Sequence, residues 1–150
     1  MSREENAEDG ARWACGLRIG NLKVNTIETF RDLDAWKVAM DLAEASYRFT
    51  RSFPREETFG LTSQIRRAAT SIPANIAEGF GRETRAEFVR GLRIAQGSLK
   101  ELETHVEISH RVGLASAGSE QEVQELADRA GRLLRALIRS LNGPRPREGY

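Results

Sequence analysis

Apolar residues recur along most of this chain at alternating spacings of three and four, the period of one helix face. The first such run is Leu33, Trp36, Met40, Ala43, Tyr47 and Thr50. It predicts a helix starting near Asp32 or Asp34, either of which is suited to cap free backbone N–H groups. It should end before Phe53-Pro54, because the residue preceding a proline disfavours helical geometry. After a short link, Arg55 to Thr58, the run Leu61, Ile65, Ala68, Ile72 and Ile76 predicts a second helix from about Phe59 to Glu78. Pro73 falls inside it. Its ring has no N–H and crowds the Ala69 carbonyl, so a kink is expected. Gly79 and Gly81 are expected to supply the left-handed positions that close the helix.

The third run is the most regular. Thr84 and Glu87 are spaced as a capping box, and Phe88, Leu92, Ala95, Leu99, Leu102, Val106 and Ser109 follow in strict four-three alternation until Gly113. That predicts a helix of about 40 Å at 1.5 Å per residue. Ser119 and Glu122 are spaced as a second capping box, and Val123, Leu126, Ala130, Leu133, Leu137 and Leu141 predict a fourth helix. Acids crowd its start and Arg132, Arg135 and Arg139 its end, both of which complement the helix dipole. Gly143-Pro144 should stop it. The expected fold is all-α: an antiparallel up-down-up-down four-helix bundle over residues 30–142, with a kinked second helix. Residues 1–29 show no sustained period and are expected to form a flexible extension, with at most a strand-like piece at Leu22–Ile27. Trp13 and Cys15 are then residues of an unstructured leader rather than a docking spot. Residues 143–150 are expected to form a flexible tail.

Composition narrows the function classes. A chain of 150 residues makes one domain with one core. Lys plus Arg number 23 against 22 Asp plus Glu, so no global basic excess points to nucleic acid and only local patches count. The single cysteine, Cys15, excludes an internal disulfide and a Cys-rich zinc site and fits a reducing, cytoplasmic setting. No apolar run approaches the roughly 20 residues of a membrane helix, and no membrane partner is expected.

Catalytic chemistry finds little support. A di-iron bundle needs Glu-x-x-His on two helices and a further Glu on each of the others. Glu107 and His110 make one such motif, but the only other histidine, His105, shares that helix and points about 140° away. Neither metal, nor cofactor, nor catalytic residue is expected. Gly79-Phe80-Gly81 lacks the third glycine and preceding strand of a dinucleotide site.

Two surface features stand out. From Gly60 to Lys100 there are seven basic residues (Arg66, Arg67, Arg82, Arg85, Arg90, Arg93, Lys100) against three acids. Arg90, Arg93 and Lys100 project away from the third stripe, as Arg132, Arg135 and Arg139 do from the fourth. Such a ridge suits phosphate backbones; the plainer alternative is a solvated face. The second feature is Ile94 and Ile108, apolar positions off the core stripe of the third helix, beside Glu101 and His105. They imply either self-association or a bundle that wraps further around this helix.

The strings Phe30-Arg31-Asp32-Leu33-Asp34-Ala35-Trp36, Phe53-Pro54, Gly60-Leu61-Thr62-Ser63-Gln64-Ile65-Arg66-Arg67-Ala68-Ala69, Ser71-Ile72-Pro73-Ala74-Asn75-Ile76-Ala77-Glu78-Gly79, Glu87-Phe88 and Gly97-Ser98-Leu99-Lys100-Glu101-Leu102-Glu103-Thr104 resemble the bacterial 23S rRNA intervening-sequence proteins, once labelled S23 ribosomal proteins. The resemblance covers about Phe30 to Asn142 and omits residues 1–29. It implies a four-helix bundle assembling as a ring-like homopentamer, with no enzymatic activity. It also points, more distantly, to the accessory variability proteins of diversity-generating retroelements, pentameric barrels that bind nucleic acid and a reverse transcriptase. Asn75 is expected to hydrogen-bond backbone freed by Pro73, and at least one of Arg66 and Arg67 to lie at the surface or an interface. The combined expectation is a homo-oligomeric bundle that binds RNA or DNA through its basic faces, with Ile94 and Ile108 at the oligomer interface. The alternative is an adaptor that binds another protein without nucleic acid.

Overall fold

A computed structural model of the chain describes residues 27–143. Trp13, Cys15, most of the strand-like piece and residues 144–150 lie outside the described residues. Four helices account for most of the rest: α1 (Asp34–Thr50), α2 (Leu61–Gly81), α3 (Arg85–Arg111) and α4 (Gln121–Asn142), with 3-10 turns at Phe30–Asp32 and Arg55–Glu57. There is no strand among the described residues, and no helix among them is long and apolar enough to cross a membrane. The order is antiparallel. Arg48 near the end of α1 meets Glu122 at the start of α4 (2.8 Å), and Arg67 of α2 faces Glu101 of α3 (3.6 Å). The first residue of α1 and the last of α4 therefore lie at one end of the bundle, and the α1–α2 and α3–α4 links at the other.

Ordered contacts begin a few residues before the expected boundary. Ile27 packs against the core. The Thr29 hydroxyl accepts from the Arg31 N–H (3.0 Å), while the Asp32 carboxylate accepts from the Thr29 (2.9 Å) and Glu28 (3.0 Å) N–H groups. Asp32 thus caps the turn ahead of α1, whose own N-cap, Leu33, has no side-chain cap. Phe30 and Trp36 meet edge-on at 5.2 Å over this turn.

The expected stripe of α1 is rotated by roughly 100° from the true one. Leu33, Ala43 and Thr50 are buried as expected, but Met40 and Tyr47 are exposed and Trp36 is half-buried. The core face is instead Ala35, Val38, Ala39, Leu42, Ala45, Ser46 and Phe49. Small residues on this face bring the helix close to its neighbours, and the larger side chains flank it. Buried hydroxyls donate within their own helices: Ser46, Thr50 and Ser109 each donate to the carbonyl four residues back, at 2.7, 2.9 and 2.8 Å.

The α3 stripe is borne out in full: all seven of its positions are buried, and Thr84 accepts from the Glu87 N–H (3.2 Å). In α2, Ile65, Ala68, Ile72 and Ile76 are buried, and the helix continues through a buried Pro73. Two expectations at helix ends are corrected. Gly79 and Gly81 are helical rather than left-handed; the left-handed residue after α2 is Glu83, at φ 63°. Gly79 serves packing instead. A Cβ on Gly91 would lie 2.6 Å from the Asn75 carbonyl oxygen and 2.8 Å from the Gly79 Cα, so α2 and α3 touch backbone to backbone. Nor does Ser119 cap α4: Glu120 is the N-cap, and the Ser119 hydroxyl donates to the Ser116 carbonyl (2.8 Å). On α4, Leu126 and Leu133 are half-buried, and Ala127, Leu134 and Ile138 complete the core face.

Candidate functional site

The arginines singled out by sequence fall into three groups. Arg66 is partly buried and structural. Its Nε donates to the Thr50 hydroxyl (2.9 Å), and its guanidinium lies over the Tyr47 ring at 4.6 Å. Several others are exposed but engaged. Arg67 donates to Gln64 (3.1 Å) and faces Glu101. Arg82 is held by Glu78 (2.8 Å) and lies 3.9 Å from Glu87; the hydrogen bond to Glu78 raises the pKa of its guanidinium above the usual value. Arg90 is 3.9 Å from Glu87, and Lys100 donates to Glu103 (2.7 Å). The alternation Glu78–Arg82–Glu87–Arg90 bridges the C-terminal half of α2 and the start of α3 with no net charge.

The third group is free of acids. Arg85 and Arg93 on α3, and Arg132, Arg135 and Arg139 on α4, are exposed and make no ion pair with a described residue. Arg129 on α4 is exposed in the same way. Guanidinium groups without carboxylate partners keep their full capacity for bidentate bonds to phosphate.

The apolar residues off the α3 stripe remain at the surface. Ile94 is 47% and Ile108 40% exposed, with Val112 more so. The bundle does not wrap around this face. Beside it, Ser71 of α2 and Ser98 of α3 share a short hydrogen bond. Asn75 donates to the Ser71 carbonyl (2.7 Å), in the turn that Pro73 interrupts, rather than to the carbonyl of Ala69.

The Glu107-x-x-His110 pair does not converge. Glu107 accepts from Arg111 (2.7 Å), which holds its carboxyl below the usual carboxylate range. His110 Nδ1 lies 3.1 Å from Glu120, and His105 Nε2 lies 3.4 Å from Glu101. Among the described residues no three His, Cys, Asp or Glu side chains group as metal ligands would.

One conspicuous residue escaped the sequence reading. Phe59, expected to open the second helix, stands in the α1–α2 link and is 94% exposed. The signal was its neighbour, Gly60, which delays the helix start to Leu61.

No curated protein matches the chain. Among solved structures, a protein with unknown function from the S23 ribosomal protein family of Bacteroides thetaiotaomicron is similar. It shares 25% identity with a TM-score of 0.62, over 70% of this chain and 98% of that one. A family model described as 23S rRNA-intervening sequence protein matches residues 31–136, from the Phe30–Trp36 string into α4. With all four helices touched by that match, the chain belongs to the 23S rRNA-intervening sequence protein family.

Proposed function

We propose that this protein is a non-enzymatic, self-associating bundle that binds RNA or DNA with low sequence specificity. The observation that carries the reading is the row Arg132, Arg135 and Arg139 on the outward face of α4, exposed and without acid partners among the described residues. These side chains recur on successive turns over roughly 10 Å of helix. Arg85 adds a further free guanidinium on α3. Phosphate contacts of this kind fix position and carry no base information. The exposed Ile94 and Ile108 support self-association, and the family resemblance supports five copies in a ring. Assembly repeats each arginine row around the particle and widens a modest patch into an extended field.

The test is fluorescence anisotropy with labelled RNA and duplex DNA across a salt series. Binding should weaken steeply with salt, with a logarithmic slope of roughly −0.9 per phosphate contact on duplex DNA. The triple variant Arg132→Glu, Arg135→Glu, Arg139→Glu should lose binding at least tenfold with helicity unchanged. An absence of binding at about 50 mM salt, or indifference to the triple reversal, would favour an adaptor that binds protein alone.

A further inference from the structure

Phe59 is the most exposed large apolar side chain described, at 94%. On α3, Ala86, Val89 and Ile94 line an open depression of about 430 Å³ whose rim carries Arg90 and Arg93. The two cannot meet within one copy. Phe59 adjoins the start of α2, whereas the depression lies beside the Gly79–Gly91 contact. Most of the length of α2 separates them, roughly 27 Å at 1.5 Å per residue.

We infer that Phe59 of one copy inserts into the α3 depression of another. This rests on the self-association proposed above and specifies its contact. Apolar complementarity is one argument: a bare aromatic ring and an apolar hollow without an occupant occur on the same chain, and buried aromatic anchors dominate interface energetics. Charge is the second. The 3-10 turn just before Phe59 carries two acids, Glu56 and Glu57, against one cation, Arg55, and so is acidic on balance. Glu57 accepts from the Leu61 N–H (3.0 Å), while Glu56 is exposed and has no ion pair with a described residue. Facing them across the contact would be Arg93, equally unpaired, and Arg90. Either guanidinium can also lie over the inserted ring. The ring and the hollow are unlike surfaces at different ends of the bundle, so the contact joins copies head to tail, an arrangement that closes into a ring where the rotation between copies closes and runs on as a filament where it does not.

The experiment uses the full chain in light scattering and sedimentation velocity at micromolar concentration. Phe59→Glu and Ile94→Asp should each give monomers, with the dissociation constant raised roughly thirtyfold or more. Phe59 projects into solvent, so its variant keeps full helicity. Ala86→Arg, at an exposed position, provides a second blocked depression if Ile94→Asp disturbs folding. An equimolar mixture of the Phe59→Glu and Ile94→Asp chains should form one-to-one pairs and nothing larger, because one intact ring and one intact depression remain between them. A monomeric wild type would overturn both the self-association and this contact. An assembled Phe59→Glu variant, or a mixture that stays monomeric beside an assembled wild type, would overturn the contact alone.

Discussion

Replacing Gly91 with alanine adds one methyl group where α2 and α3 touch. Its carbon would lie 2.6 Å from the Asn75 carbonyl oxygen and 2.8 Å from the Gly79 Cα. Both obstacles are backbone, so no rotamer change relieves them and the helices must part by several tenths of an ångström. Overpacking of this kind costs about 1–3 kcal/mol, and a rigid obstacle places the cost near the upper end. Against it stands the better helix propensity of alanine, about 1 kcal/mol. The expected net loss is about 2 kcal/mol. Gly97, further along the same helix on its exposed side, is the control: a Cβ there meets nothing within 4 Å, so Gly97→Ala should gain up to about 1 kcal/mol. The assay is urea unfolding of both variants and wild type at one fixed protein concentration, which holds any assembly linkage constant. With a slope of roughly 2 kcal/mol per molar, Gly91→Ala should lower the midpoint by about 1 M and Gly97→Ala should raise it by up to half that, the slopes unchanged. If the two alanines behave alike, the backbone contact does not hold these helices at their spacing.

Arg66→Ala should destabilise by about 1–2 kcal/mol, since it removes a ring contact and a hydrogen bond in a partly buried setting, while Arg67→Ala should fall within about 0.5 kcal/mol; urea midpoints of the pair decide. At Asp32, hydrogen bonds from the Thr29 and Glu28 N–H groups hold the carboxyl pKa below its ordinary value of 3.8. The stability this carboxylate supplies is therefore complete above that pH and is lost as pH falls through the lower folded value. The melting-temperature gap between wild type and Asp32→Asn should narrow on acidification below pH 3.8; a gap independent of pH would show that the charge contributes nothing.

The helices were legible where one apolar phase dominates. On α3 the four-three alternation runs unbroken, with Phe88, Leu92, Leu99, Leu102 and Val106 as its large members, and all seven positions are buried. On α1 the most conspicuous side chains mislead. Trp36, Met40 and Tyr47 flank the core, because close packing favours the small Ala39, Ala45 and Ser46 beside Leu42 and Phe49. Hydrophobic size marks the edge of such a face as readily as its centre. Glycines were misread for a related reason: Gly79 lies near a helix end, which suggests a cap, but its use depends on Gly91, a long-range neighbour that spacing cannot reveal. The surface was legible as a charge surplus but not as free charge. The pairs Glu78–Arg82, Glu87–Arg90 and Lys100–Glu103 follow from helical spacing, but only the fold shows Arg67 facing Glu101 across two helices while Arg85 and Arg93 have no acid partner among the described residues.

An even number of antiparallel helices returns the chain to the end where it began, so Ile27 and Gly143 emerge on the same side of the bundle. The α1–α2 link with Phe59 faces away from that side. The bundle can therefore be spliced as a cassette into an exposed loop of a host protein, with both junctions adjacent and little strain on the host. A dye or affinity handle attached at either junction leaves the opposite pole clear. By the same geometry, joining residues 27 and 143 through a short linker and reopening the chain at Gly113 or Gly118, both left-handed glycines of the exposed α3–α4 link, gives a circular permutant whose helices keep every neighbour they now have.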